Sequence, residues 1–212
     1  MQSSYNPWLV AMSFVVATLS SYTALDLTAR IFVLASPRLR HVWRMGGAAA
    51  LGVGIWSMHF VAMLAFSLPI PLGYDFADTA YSLALAMGAS YLALCLTTQA
   101  RITATRLLAG GAFMGAGIAG MHYSGMAALR MSPGIGYRPA WFVASLAIAV
   151  GASTAALWMA RALSNDDARH VLRKRFGAAV VMGVAISGMH YAGMAAAEFA
   201  PDAICGAAAG VN

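Results

Sequence analysis

The sequence predicts an all-α membrane protein, a polytopic bundle of six transmembrane helices built as three two-helix repeats around a pseudo-threefold axis. Three observations predict it. The 212 residues are 61% hydrophobic and 9% charged, with a mean hydropathy of +0.72, whereas a soluble domain carries about 25% charged residues. Six apolar stretches are each close to the ~20 residues that cross a bilayer. One motif, M-H-[FY]-x-x-M, occurs three times, at residues 58–63, 121–126 and 189–194, with its histidines 63 and 68 residues apart. That period holds two membrane crossings and their loops.

In chain order the spans cover roughly residues 9–34, 42–68, 79–98, 107–129, 140–163 and 176–199. They pair into repeats at about 9–68, 79–130 and 140–199, within a membrane domain of residues 1–200. The first basic residue is Arg30, so the amino terminus lacks the positive region of a signal peptide and begins a retained first helix. The first loop carries Arg38, Arg40 and Arg44, the third Arg101 and Arg106, and the fifth Arg169, Arg173, Lys174 and Arg175. The second loop has Asp75 and Asp78, and Glu198 and Asp202 follow the sixth span. By the positive-inside rule the odd loops are cytoplasmic and the amino terminus lies outside, against the vote of Arg130 and Arg138 in the fourth loop. Six crossings that start outside also finish outside. Residues 201–212 therefore read as a tail or the start of a truncated seventh helix.

The net charge of +6 reports topology rather than a nucleic-acid partner, because the basic residues sit in short clusters between apolar spans. Cys95 and Cys205 fall near opposite faces and form no disulfide framework. The odd spans carry a repeat of their own. Ser21-Tyr-Thr-Ala-Leu-Asp-Leu27 resembles Ser90-Tyr-Leu-Ala-Leu-Cys-Leu96, with an echo at Ser153-Thr-Ala-Ala-Leu-Trp-Met159. Neighbouring repeats in membrane folds commonly build their site where they meet.

His59, His122 and His190 each stand 15 or 16 residues beyond a basic residue, Arg44, Arg106 or Arg175. At ~1.5 Å per residue all three lie at one depth, near the outer surface. Positions i and i+4 share a helix face, so His59 converges with Met63, His122 with Met126 and His190 with Met194. Met58, Met121 and Met189 point to the flank, toward neighbouring helices. A single intramembrane histidine beside methionines reads as packed core. Three copies at one depth, with both Met positions filled each time, read as a metal site. Thioether and imidazole donors without a carboxylate select copper, as Cu(I) or Cu(II), over zinc, magnesium or calcium. A haem held by two of the histidines would leave the repeated i+4 methionines unexplained.

Gly115, Gly117, Gly120 and Gly125 on the fourth span, and Gly183, Gly188 and Gly193 on the sixth, permit close helix approach in lipid. Tyr123, Tyr191 and Phe60 are aromatic-belt groups or partners of the site. Asp26 with Arg30 one turn later is a charge-neutralising pair. Cys95 reads as core and Cys205 as a neighbour of the motifs, while His41 and His170 belong to basic cytoplasmic loops.

The threefold motif, the first-span S-Y-T-A-L-D-L and the basic odd loops resemble the MHYT domain, a bacterial integral-membrane sensor module, from Ser13 to about Met194. The resemblance implies copper held by Met58, His59 and Met63, by Met121, His122 and Met126, and by Met189, His190 and Met194. It further implies sensing of a diatomic gas (O2, CO or NO) or of redox state in the bacterial inner membrane. The module would then serve a cytoplasmic cyclic-di-GMP or histidine-kinase output domain, with a homodimer as one arrangement. Phe60 stands where the family name has Tyr, and Ser124 and Ala192 replace its Thr. The rival readings are a copper uptake, export or delivery protein, for which Met114 and Met182 lie deeper on their helices, and a copper-dependent membrane enzyme. No catalytic residue is identified, so the chain reads as a sensor rather than an enzyme.

Overall fold

The computed structural model describes residues 3–99, 103–165 and 171–209, so that Arg101, Arg169 and His170 lie outside the described residues. Each apolar stretch is a helix: α1 (Pro7–Phe32), α2 (Pro37–Ala65), α3 (Phe76–Thr97), α4 (Ala104–Ala127), α5 (Pro139–Ala162) and α6 (Val171–Ala196). The even helices begin before their apolar runs. Arg38, Arg40, Arg44, Arg106, Arg173, Lys174 and Arg175, expected in loops, occupy the opening turns of α2, α4 and α6. A helix satisfies its own backbone among headgroups, and long basic side chains reach water from it, so the apolar run underestimates the helix. Side-chain caps fix several starts: Asn6 accepts from the N–H groups of Trp8 and Leu9, Ser36 from Leu39, Asp75 from Asp78 and Thr103 from Arg106. Proline opens α1, α2 and α5, where its missing N–H costs nothing.

By length and composition α1, α2, α3, α5 and α6 are apolar enough to cross a membrane. The glycine-rich α4 does not reach that measure, yet its 24 residues lie at full length between α3 and α5. Each helix packs on its chain neighbours and α6 packs on α1, which closes a ring of six. In α2 and α6 half of the apolar window is buried, against 22% to 28% in α1, α3 and α5. The even helices are therefore the inner ones.

The threefold relation runs through the packing. The odd helices turn a stripe of small and apolar residues inward at four-residue steps: Ser13, Ala17, Ser21 and Leu25 on α1, Ser82, Ala86, Ser90 and Leu94 on α3, and Ser145, Ala149, Ser153 and Leu157 on α5. Against this stripe the inner helices present Gly52, Gly115 and Gly183. A Cβ there would stand 2.7 Å from the Met87 Cα, 2.7 Å from the Val150 Cα and 3.1 Å from the Thr18 Cα. Backbone meets backbone at these three crossings, a contact that only glycine permits.

At one end short strand pairs cap the bundle: β1 (Ser4–Tyr5) with β2 (Phe66–Ser67), β3 (Met131–Ser132) with β6 (Ile204–Cys205), and β4 (Gly136–Tyr137) with β5 (Ala197–Glu198). The backbone N–H groups of Asn6, Asp75 and Arg138 donate to the carbonyls of Ala65, Ala128 and Ala196 at 2.8, 2.8 and 2.9 Å. Each odd helix is thus stitched at its start to the end of the inner helix that follows it, α1 to α2, α3 to α4 and α5 to α6. The stretch that follows α6 folds back over this end. Its last turn, α7 (Gly206–Ala209), lies against Gly73, and the Gly206 N–H donates to the Arg130 carbonyl at 2.9 Å. Arg130, in left-handed conformation at φ 48°, pairs with Asp75 at 3.1 Å and Asp78 at 3.4 Å, and Arg138 pairs with Glu198 at 3.8 Å. Acids at the same end therefore neutralise the two arginines that opposed the charge pattern. At the basic end Asp26 accepts from Arg30 at 2.6 Å and from Arg175 of α6 at 3.4 Å.

Candidate metal centre

The motif histidines meet on the axis where α2, α4 and α6 converge. His59 and His122 are fully buried and His190 is 1% exposed. Their ring centroids form a triangle with sides of 5.0 Å, and the rings stand at 74° to 90° to one another. The Nδ1 atom of His59 lies 3.0 Å from that of His190 and 3.2 Å from that of His122. Each Nδ1 of a neutral imidazole either donates or accepts, so both short contacts are made only if the single Nδ1 of His59 is shared between its two partners. A cation facing three lone pairs would engage all three nitrogens at once. Donors about 2.0–2.1 Å from a shared ion stand about 3.3–3.5 Å apart, close to the spacing seen. Among the described residues these three are the His, Cys, Asp or Glu cluster placed to hold a metal.

The backs of the rings are seated on glycine. A Cβ on Gly125 of α4 would collide with Nε2 of His59 and lie 3.0 Å from its Cδ2, and one on Gly193 of α6 would collide with Nε2 of His122 and lie 2.9 Å from its Cδ2. Gly125 and Gly193 are three residues after their own histidines. The equivalent residue on α2 is the fully buried Ala62. None of the three Nε2 atoms has a hydrogen-bond partner.

Met63, Met126 and Met194 gather in one buried cluster next to the triad on its capped side, with Phe66, Leu129 and Cys205. Cys205 is tied down there: its thiol donates to the Leu129 carbonyl at 3.0 Å, and its sulfur accepts from the Gly73 N–H at 3.3 Å. The preceding methionines take separate places. Met121 packs with Ile55 and Ala86, and Met189 with Ala89, Ile118 and Ala149, while Met58 is buried at 1% exposure. Two turns toward the basic end, Met114 and Met182 line an axial cavity whose third equivalent position is Leu51. Cys95 is half-buried, and His41 is exposed with its ring edge toward Tyr91.

A second layer of threefold contacts positions the rings. Ser145 pairs with the Tyr123 hydroxyl at 2.6 Å and Ser13 with the Tyr191 hydroxyl at 3.0 Å. In the first repeat Phe60 has no hydroxyl. There Trp56, one turn earlier and tilted against Phe60 at a centroid distance of 4.7 Å, donates its Nε1–H to Ser82 at 3.1 Å. Outside these, Tyr5 packs on Tyr191, Tyr74 on Phe60 and Tyr137 on Tyr123, at centroid distances of 6.0, 5.3 and 5.2 Å. Burial pushes the phenol pKa of each of Tyr5, Tyr74 and Tyr137 up to about 12. Sequence reasoning missed the three serines, the three outer tyrosines and Trp56. Stepping back eight and sixteen residues from the aligned Ser21, Ser90 and Ser153 finds the first two sets.

The comparisons agree with this architecture. The MHYT family model, described as a bacterial signalling protein N terminal repeat, matches residues 52–110 and 115–173. The matches begin at Gly52 and Gly115, two of the three crossing glycines. Over 206 residues, 97% of the chain, it is 59% identical to the bifunctional diguanylate cyclase/cyclic di-GMP phosphodiesterase MucR of Pseudomonas aeruginosa. It is 43% identical over 91% of its length to the cyclic di-GMP phosphodiesterase NbdA of the same organism, and 35% identical over 94% to the signaling protein YkoW of Bacillus subtilis. The chain spans 30%, 24% and 25% of the length of these curated relatives. No solved structure matches it. With both repeats matched and the third copy of the motif completing the triad, the chain belongs to the MHYT family and is a multi-pass membrane module of bacterial signalling proteins.

Proposed function

We propose that His59, His122 and His190 hold one copper ion through Nδ1, with the thioethers of Met63, Met126 and Met194 beside it, as the sensing centre for a diatomic gas or for redox state. The observation that carries this reading is the buried triangle of imidazoles, with Nδ1 atoms 3.0 and 3.2 Å apart, next to three gathered methionines. The thioethers beside the imidazoles favour copper over zinc, whose ligands are thiolate, imidazole and carboxylate. Copper supplies a redox couple and, where a coordination position stays open, a place for a small ligand. The positive-inside rule puts the capped end, with the triad, toward the outside of the bacterial inner membrane. The names of the relatives point to cyclic-di-GMP turnover as the output.

The chain's own part is to fix the imidazoles and to respond to them. Each inner helix carries one ring, and α4 and α6 also seat the ring of a neighbour on glycine. A change in the preferred spacing of the three nitrogens would therefore displace the inner helices together. The crossings at Gly52, Gly115 and Gly183 would pass that displacement to the outer helices. A signal travels only if the two states of the centre favour different helix arrangements.

The test is metal analysis of the purified chain. One copper per chain is expected, reduced at least tenfold in His59→Ala, His122→Ala and His190→Ala, each checked for folding by size exclusion. Full copper in any one of the three would remove that residue from the site. Met114 and Met182 in the deeper cavity give the transport reading its one foothold. Copper flux into proteoliposomes would decide for transport, and gas- or copper-dependent turnover of cyclic-di-GMP by the full-length protein would decide for sensing.

A further inference from the structure

On the basic side of the triad all six helices leave an axial cavity of about 60 Å³. Its wall repeats threefold. Ile55, Ile118 and Ile186, one turn below the three histidines, stand between cavity and rings, and Ser21, Ser90 and Ser153 form the next ring from the odd helices. The serines are 2%, 3% and 2% exposed. Ser21 donates to the Ala17 carbonyl at 2.8 Å, but the hydroxyls of Ser90 and Ser153 have no partner. An unpaired hydroxyl in an apolar interior is costly.

The cavity's chemistry selects its occupant. A water needs only about 10–15 Å³ but two to four polar partners. Apart from its four serines, Ser20, Ser21, Ser90 and Ser153, the wall is Ala, Ile, Leu and Met, so the serines can hold a single water and the rest of the space offers water no partner. Apolar space of this kind stays dry and takes apolar guests, as a ~150 Å³ cavity takes benzene or xenon. At about 60 Å³ the space fits a guest of two or three heavy atoms. A charged species would meet no counter-charge there.

We propose that this cavity is a docking site for a small neutral diatomic molecule, distinct from the metal-binding atoms and one helical turn from them. Ser90 and Ser153 offer hydroxyl hydrogens to the guest, and the isoleucine ring separates it from the imidazoles. Its role in signalling rests on the gas-sensing reading above; its existence does not require a metal.

The test uses the whole chain, stripped of metal, in detergent under xenon, followed by ¹²⁹Xe NMR. One xenon site per chain is expected. Ala24→Leu and Ala93→Leu, which grow into the cavity from α1 and α3, should each lower xenon occupancy at least tenfold, and Ile186→Ala, which widens it, should raise occupancy. Absence of xenon binding in both the wild type and Ile186→Ala overturns the proposal. So does occupancy that Ala24→Leu and Ala93→Leu, both folded by size exclusion, leave unchanged, or an experimental structure with the cavity filled by ordered water. Copper stoichiometry measured on the same variants separates the two readings. Loss of copper in the histidine variants with xenon retained supports both, whereas full copper in those variants with xenon retained ends the metal reading and leaves the cavity standing.

Discussion

The first repeat and the other two build the same corner of one triangle from different residues. In the second and third repeats a tyrosine follows the histidine and bonds a buried serine of the next outer helix, and a glycine three positions on seats the neighbouring ring. The first repeat has Phe60 and Ala62 in those places, and Trp56 reaches the serine from one turn earlier. What persists across all three is the contact, a polar aromatic group against the inward serine. The side chain that makes it is free to vary.

The largest expected break in this comparison is at the glycine seats. Gly125→Val and Gly193→Val drive branched side chains into the rings of His59 and His122, and copper affinity should fall about 10–100-fold, as when supports of ligating histidines are altered. Ala62→Gly on the first repeat should leave it unchanged. Titration with a Cu(I) chelator measures all three.

A smaller effect tests the aromatic exchange. Trp56→Phe, Tyr123→Phe and Tyr191→Phe each remove one interhelical hydrogen bond, and each should destabilise the bundle by about 0.6 kcal/mol, a typical value inside a membrane protein. Combining Trp56→Phe with Phe60→Tyr rebuilds the second-repeat arrangement in the first. Thermal unfolding in detergent should show most of the loss recovered.

The smallest effect concerns the outer tyrosines. Tyr5, Tyr74 and Tyr137 have phenol pKa values raised to about 12 by burial, above the unfolded value of about 10. Below pH 10 both states hold the proton and stability is flat. Between pH 10 and 12 the unfolded chain releases protons that the folded one keeps, so stability falls as pH rises. Tyr74→Phe and Tyr137→Phe should flatten that alkaline decline in a series of melts across this range.

The sequence made the helices and the triad legible because both are written in local periodicity. The predicted span 107–129 and α4 (Ala104–Ala127) differ by two or three residues, and the i+4 rule foretold that Met63, Met126 and Met194 would share a side with the rings. What stayed hidden depends on partners distant in sequence. Trp56 was unreadable as a donor until Ser82 of α3 stood beside it. Cys205, read only as a neighbour of the motifs, has a partner that shows once the fold-back lays it beside the Leu129 carbonyl. The inward stripe from Ser13 to Leu25 was harder to read because alanine and serine give little apolar contrast, so its period shows only when three copies are overlaid.

A unit of two crossings returns the chain to the side from which it started. Copies of such a unit follow one another without inversion, and every second helix points the same way. Had the unit held one crossing or three, successive histidines would have come to rest at alternate membrane surfaces. Parity, more than the identity of any residue, allows three successive duplicates to surround a common point.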